Sequence, residues 1–104
     1  MKNENVISKI KEVISDMMHT YEMEYALIGP DTCVMIEFRS TLGLLLRYEK
    51  GEYSRFKLSR NLSNTMNMFR GFIDELDPKC STANEAKEQL DKFEKLYDEL
   101  VENM

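Results

Sequence analysis

The chain has 104 residues and a net charge of −5, with 42% hydrophobic and 32% charged residues. That length is one domain of ordinary size, able to bury a core of its own, and the balance excludes a disordered chain. No apolar run approaches the ~20 residues of a membrane span, and the start of the chain lacks the continuous apolar stretch of a secretory leader, so a cytoplasmic protein is expected.

Residues 4–19 read as an amphipathic helix. Val6, Ile10, Val13 and Met17 repeat at helical spacing, and Ile7, Ile14 and Met18 widen the stripe. His19 falls on the polar side with Lys9, Glu12, Ser15 and Asp16. Residues 21–28 read as a strand, because Met23, Tyr25 and Leu27 alternate with Glu22, Glu24 and Ala26. Gly29-Pro30-Asp31 supplies turn chemistry. A second strand is expected over 32–39, with Val34, Ile36 and Phe38 on one face. Ser40-Thr41 is a short link to a third, more continuously apolar strand over 42–48. Residues 49–52 read as a hairpin turn in which Gly51 takes positive φ. A fourth strand over 53–59 points Phe56 and Leu58 inward and Tyr53, Arg55 and Lys57 outward.

The last third reads as two helices. Over 62–76, Leu62, Met66, Phe69, Ile73 and Leu76 form a stripe, with Asn61 or Ser63 as N-cap and Asp77-Pro78 as the stop. Over 83–103, Ala83, Ala86, Leu90, Phe93 and Leu100 form another, with Thr82 and Glu85 as a capping box. Glu88–Lys92 and Asp91–Lys95 are favourable i, i+4 pairs. The expected fold is a single α+β domain over 1–104: an N-terminal helix, a four-stranded antiparallel meander, and an antiparallel two-helix hairpin packed on the sheet.

Catalytic chemistry is not legible. The sole histidine, His19, sits on a polar helix face, where a solvated side chain is the plain reading. The four glycines are isolated, which excludes a Rossmann or phosphate-binding loop. Cys33 and Cys80 are too few for a tetrahedral zinc site and too far apart in sequence to imply a disulfide framework. Glu22, Glu24 and Glu37 would share an outer sheet face, best read as a solvated surface. A non-catalytic protein without metal or cofactor is expected.

Charge is unevenly placed. Residues 74–104 carry ten acids against four lysines, whereas residues 37–60 carry six basic residues against three acids. Asp74 and Glu75 sit at the C-terminus of one helix and Asp98, Glu99 and Glu102 at that of the next, each opposing its own helix dipole. In an antiparallel pair the partner helix's N-terminus would compensate them. Asn64, Asn67 and Gly71 form an uncharged outer face on the 62–76 helix, suited to close approach by another protein. These eight residues are the candidate partner-binding set, and the partner they suit is a protein with a basic surface. An acidic chain near 100 residues with this order of parts resembles small phage-encoded inhibitors of bacterial defence, the anti-CRISPR proteins. The resemblance is one of layout and charge, carries no motif, and implies an inhibitor that occupies a nucleic-acid-handling protein. Two alternatives stand beside it: a homodimer pairing through the 62–76 helix or a sheet edge, and a nucleic-acid binder through Tyr53, Arg55 and Lys57 on the basic strands.

Overall fold

The stripe that begins at Val6 does not end at His19. It runs on through Thr20 and Tyr21, both buried, and no glycine or proline interrupts it before Gly29. In the structure, a computed structural model that describes residues 2–28 and 32–102, this segment is one helix, α1 (Lys2–Ile28). The strand expected over 21–28 is helical instead. The turn expected at Gly29-Pro30-Asp31 lies outside the described residues.

A second helix, α2 (Thr32–Glu49), replaces the strands expected over 32–39 and 42–48 together with their link. Met35, Phe38, Thr41 and Leu45 are its buried positions. Their spacing of three and four residues lines one helical face. Thr41 is tolerated inside because a second hydroxyl meets it: Thr41 Oγ1 lies 2.8 Å from Thr65 Oγ1. Thr41 Oγ1 is also 2.9 Å from Glu37 O, and Thr65 Oγ1 is 3.0 Å from Asn61 O. Two hydroxyl hydrogens serve these three contacts, so one threonine donates to the other and the acceptor donates to its own helix. Each single valine replacement, Thr41→Val or Thr65→Val, leaves the remaining hydroxyl its own carbonyl and costs about 1 kcal/mol. The double replacement will be close to neutral, because both partners then leave together. Urea unfolding of the three variants measures this.

The link to the next helix is closed by backbone bonds from Gly51 N–H to Tyr48 O and Glu52 N–H to Arg47 O. Gly51 has the expected positive φ of 76°, but it joins two helices. Helix α3 (Arg55–Glu75) begins well before the expected start, with Ser54 as N-cap accepting the Lys57 N–H at 3.2 Å. It absorbs the strand expected over 53–59, so Asn61 and Ser63 are interior to the helix. Leu58 is buried as expected, but Phe56, expected inward, is 74% exposed. Helix α3 gives way at Leu76, one residue before Asp77-Pro78.

Helix α4 (Ser81–Glu102) is capped by Cys80, whose Sγ accepts the Ala83 N–H at 3.4 Å. The capping box expected at Thr82 and Glu85 is displaced by that contact. No strand occurs among the described residues. The α+β expectation is therefore corrected to an all-α fold of four helices in that region.

The helices pack as a ring: α1 on α2, α2 on α3, α3 on α4, and α4 back on α1, the last pairing being the most extensive. Short connections make chain neighbours antiparallel. The molecule measures 39 × 24 × 17 Å, the long axis being that of the helices. Val6, Ile10, Met17, Phe38, Leu45, Leu58, Leu62, Phe69, Phe93 and Leu100 lie in one continuous core. Among the described residues no helix is long and apolar enough to cross a membrane.

Candidate functional site

The seam between α1 and α4 opens into a trough at the surface. Its larger part, a cleft of about 350 Å³, is lined by Lys9, Glu12, Val13, Asp16, Lys92 and Leu96. A second part of about 250 Å³ adds Glu85, Glu88 and Gln89 and shares Val13, Asp16 and Lys92 with the first. Val13 and Leu96 are buried, so the floor is apolar and the walls are charged. The geometry follows from two ordinary spacings. Glu12 and Asp16 stand one turn apart on one flank of α1, as do Glu85, Glu88 and Lys92 on one flank of α4.

The trough sets Glu12, Asp16, Glu85 and Glu88 against Lys9 and Lys92, a net acidic lining in which no carboxylate closes to ion-pair distance among the described residues. Two ion pairs lie elsewhere: Lys11 Nζ on Glu49 at 2.7 Å, joining α1 to α2, and Arg70 on Glu94 at 2.5 Å, joining α3 to α4. The Glu88–Lys92 and Asp91–Lys95 pairs expected from spacing do not close to ion-pair distance. Gln89 Oε1 is buried with no hydrogen-bond partner. A trough of carboxylates around an unsatisfied carbonyl oxygen invites a donor: an ammonium, a guanidinium or an amide N–H. Among the described residues no group of three His, Cys, Asp or Glu side chains is arranged to hold a metal ion. His19 is exposed, and no disulfide links Cys33 to Cys80.

From Glu88 the acidity continues along the outside of α4. Glu88, Asp91, Lys95, Asp98 and Glu102 follow one another at spacings of three and four, and all are exposed. They form a single line down the helix, acidic but for Lys95, and Glu99 stands beside it. Two of the sequence-predicted acids, Asp98 and Glu102, thus belong to a longer surface that includes the trough. Asp74 and Glu75 are also exposed, but α3 runs antiparallel to α4, so they lie at the opposite end of the bundle. The two acidic helix ends are separate features.

Asn64, Asn67 and Gly71 are exposed on the outer face of α3. Asn67 is not idle: its Oδ1 accepts from Arg70 Nη1 at 2.8 Å, and Arg70 also holds Glu94. A Cβ added at Gly71 meets nothing within 4 Å, so no neighbour in this fold demands a glycine there. The basic block is dispersed too. Tyr48 and Tyr53 pack against the core, and Tyr53 Oη accepts from Asn61 Nδ2 at 3.0 Å. Only Phe56 of the three aromatics is exposed, and the flat sheet that would present them in a row does not exist. Glu22 lies on α1 and Glu37 on α2, so the shared outer face expected of the three glutamates is absent as well.

Sequence reasoning missed Glu12, Asp16, Glu85, Glu88 and Gln89 as a group. Their spacings were visible, but which two helix flanks meet is a property of the ring, not of either helix. Comparison with family models, curated proteins and solved structures finds no match to the chain.

Proposed function

We propose that the chain is a small non-catalytic binding module that covers the basic surface of a partner protein with the α1–α4 trough and the outer acidic line of α4. The observation that carries this reading is the trough itself, where Asp16, Glu85 and Glu88, with Lys92, line the part that holds the buried, partnerless Gln89 Oε1, and Glu12 lines the adjoining part. A lysine or arginine side chain entering there gains both the charge and the missing hydrogen bond. The acidic line then extends the contact toward Glu102, steering encounter and weakening with salt. Nucleic-acid-handling proteins carry Lys and Arg at the needed density. Covering such a surface would inhibit or regulate its owner inside the cell, in the manner of the phage-encoded inhibitors that the acidic balance resembles.

Affinity capture from a lysate at about 50 and 200 mM salt tests this. The unmodified chain will retain a basic protein that the higher salt releases. Glu85→Lys with Glu88→Lys will reduce retention at least about tenfold, whereas Asp74→Lys with Glu75→Lys, on α3 and outside the lining of the trough, will leave it unchanged. Retention that survives the reversal at Glu85 and Glu88 refutes the trough as the contact.

A further inference from the structure

The acidic surface lies on α4; the diagonally opposite helix, α2, has a different peculiarity. It is the shortest and most apolar of the four helices. Its inner face, Met35, Phe38, Thr41 and Leu45, fills the core. On its outer side Ile36 is 58% and Leu46 51% exposed. Leu42 and Leu44 are only half-buried. A helix apolar beyond its core stripe is ordinarily covered on more than one side, and among the described residues α1 and α3 are the helices packed extensively against it.

Gly43 sits between these side chains, in the middle of the helix, where glycine weakens helical structure. A Cβ added there meets nothing within 4 Å, so packing inside one molecule does not require the glycine. Close approach by another helix would.

The charges indicate what that helix is. Around Gly43 the outer side carries Arg39 and Arg47, and Glu37 stands on its flank. No ion pair among the described residues uses any of the three. When α2 is laid antiparallel on a copy of itself, with the two-fold axis passing between residues 41 and 42, Ile36 falls level with Arg47 of the second copy, one residue (about 1.5 Å) from its Leu46. Glu37 falls level with its Leu46 and within one residue of its Arg47, close enough for the two long side chains to meet, and Arg39 reaches over its Gly43 and Leu44. Moving the axis to Gly43 sets Arg39 against Arg47, so the charges select the first register. The sequence of this face is complementary to its own reverse.

We infer that α2 is the contact helix of a symmetric homodimer, with Gly43 near the axis and, at both ends, Ile36 packed beside Leu46 and Glu37 paired with Arg47 of the second copy. This contact lies away from the α1–α4 trough and leaves both acidic surfaces facing outward, so one dimer presents two of them. The apolar ridge from Ile36 to Arg47 is about 16 Å long, too short for the ~1,600 Å² of a standard stable interface, which makes the dimer a weak one.

Sedimentation equilibrium over about 10 μM to 1 mM tests the inference. The mass of the unmodified chain will rise with concentration toward twice that of the monomer. Ile36→Asp, at an exposed position, will keep its helical circular dichroism and remain monomeric throughout. Glu37→Arg will weaken association about tenfold by setting like charges together, and Glu37→Arg combined with Arg47→Glu will restore it to within about threefold. A mass that stays monomeric at every concentration overturns the inference. So does a dimer that persists in Ile36→Asp, or a charge swap that restores nothing.

Discussion

Phe69→Ala will lower the stability of the fold by about 3–5 kcal/mol, measured by urea or thermal unfolding. Phe69 is fully buried, and it belongs to a closed cycle of four aromatic rings drawn from three helices. Tyr21 of α1 meets Phe72 with centroids 5.0 Å apart. Phe72 meets Phe69 at 5.5 Å, Phe69 meets Phe38 of α2 at 6.0 Å, and Phe38 returns to Tyr21 at 6.4 Å. Truncation at Phe69 removes two of these contacts and leaves a cavity where α2 and α3 join. Each aromatic contact adds about 0.5–1.5 kcal/mol beyond area burial. A domain of this size has a total stability of about 5–15 kcal/mol, so the loss is a large part of what holds it folded. Phe56→Ala is the control. Phe56 is 74% exposed, and its loss will change stability by no more than about 0.5 kcal/mol. Comparable losses at the two positions would contradict the packing described.

Phe56 also shows how far the sequence could be read. Placed on a strand over 53–59, it alternates inward with Leu58; placed on α3, the two are about 200° apart and only Leu58 can be buried. The helices over 62–76 and 83–103 were legible because their stripes hold helical spacing for four turns and offer no alternation. The segment over 21–28 does offer one, since methionine, tyrosine and leucine alternate there with glutamate and alanine. What outweighs it is continuity: the first helix has no breaker until Gly29, and Tyr21 carries its stripe into the aromatic cycle. In α2 the β-branched and aromatic residues favoured strands locally, and tertiary packing of Phe38 and Leu45 overrode that preference. Thr41 concealed the helix further. A polar residue in the core stripe reads as a link until Thr65, from a different helix, is seen to meet its hydroxyl. The candidate site was legible in part. The acids of α4 were visible as a cluster, but their union with Glu12 and Asp16 required knowing that α1 closes the ring against α4.

Ser40→Pro separates the two readings of the central segment most sharply. As a link between strands, Ser40 would accept proline with little penalty, because turns favour a fixed φ. In the structure Ser40 is exposed and lies near the middle of α2. Proline there deletes the N–H that bonds to the carbonyl of Ile36 and drives its ring into the same carbonyl. The expected cost is about 3 kcal/mol or more, with a loss of helical circular dichroism near the unfolding midpoint. Ser40→Ala removes the same side chain without touching the backbone, and will be neutral or slightly stabilising because alanine is the better helix former. The difference between the two variants therefore reports on the backbone alone. The same substitution reaches the α2 surface as well, since a kink at Ser40 turns Ile36 away from the line of Gly43 and Leu46. Ser40→Pro will accordingly abolish any association through α2 at concentrations where Ser40→Ala still dimerises.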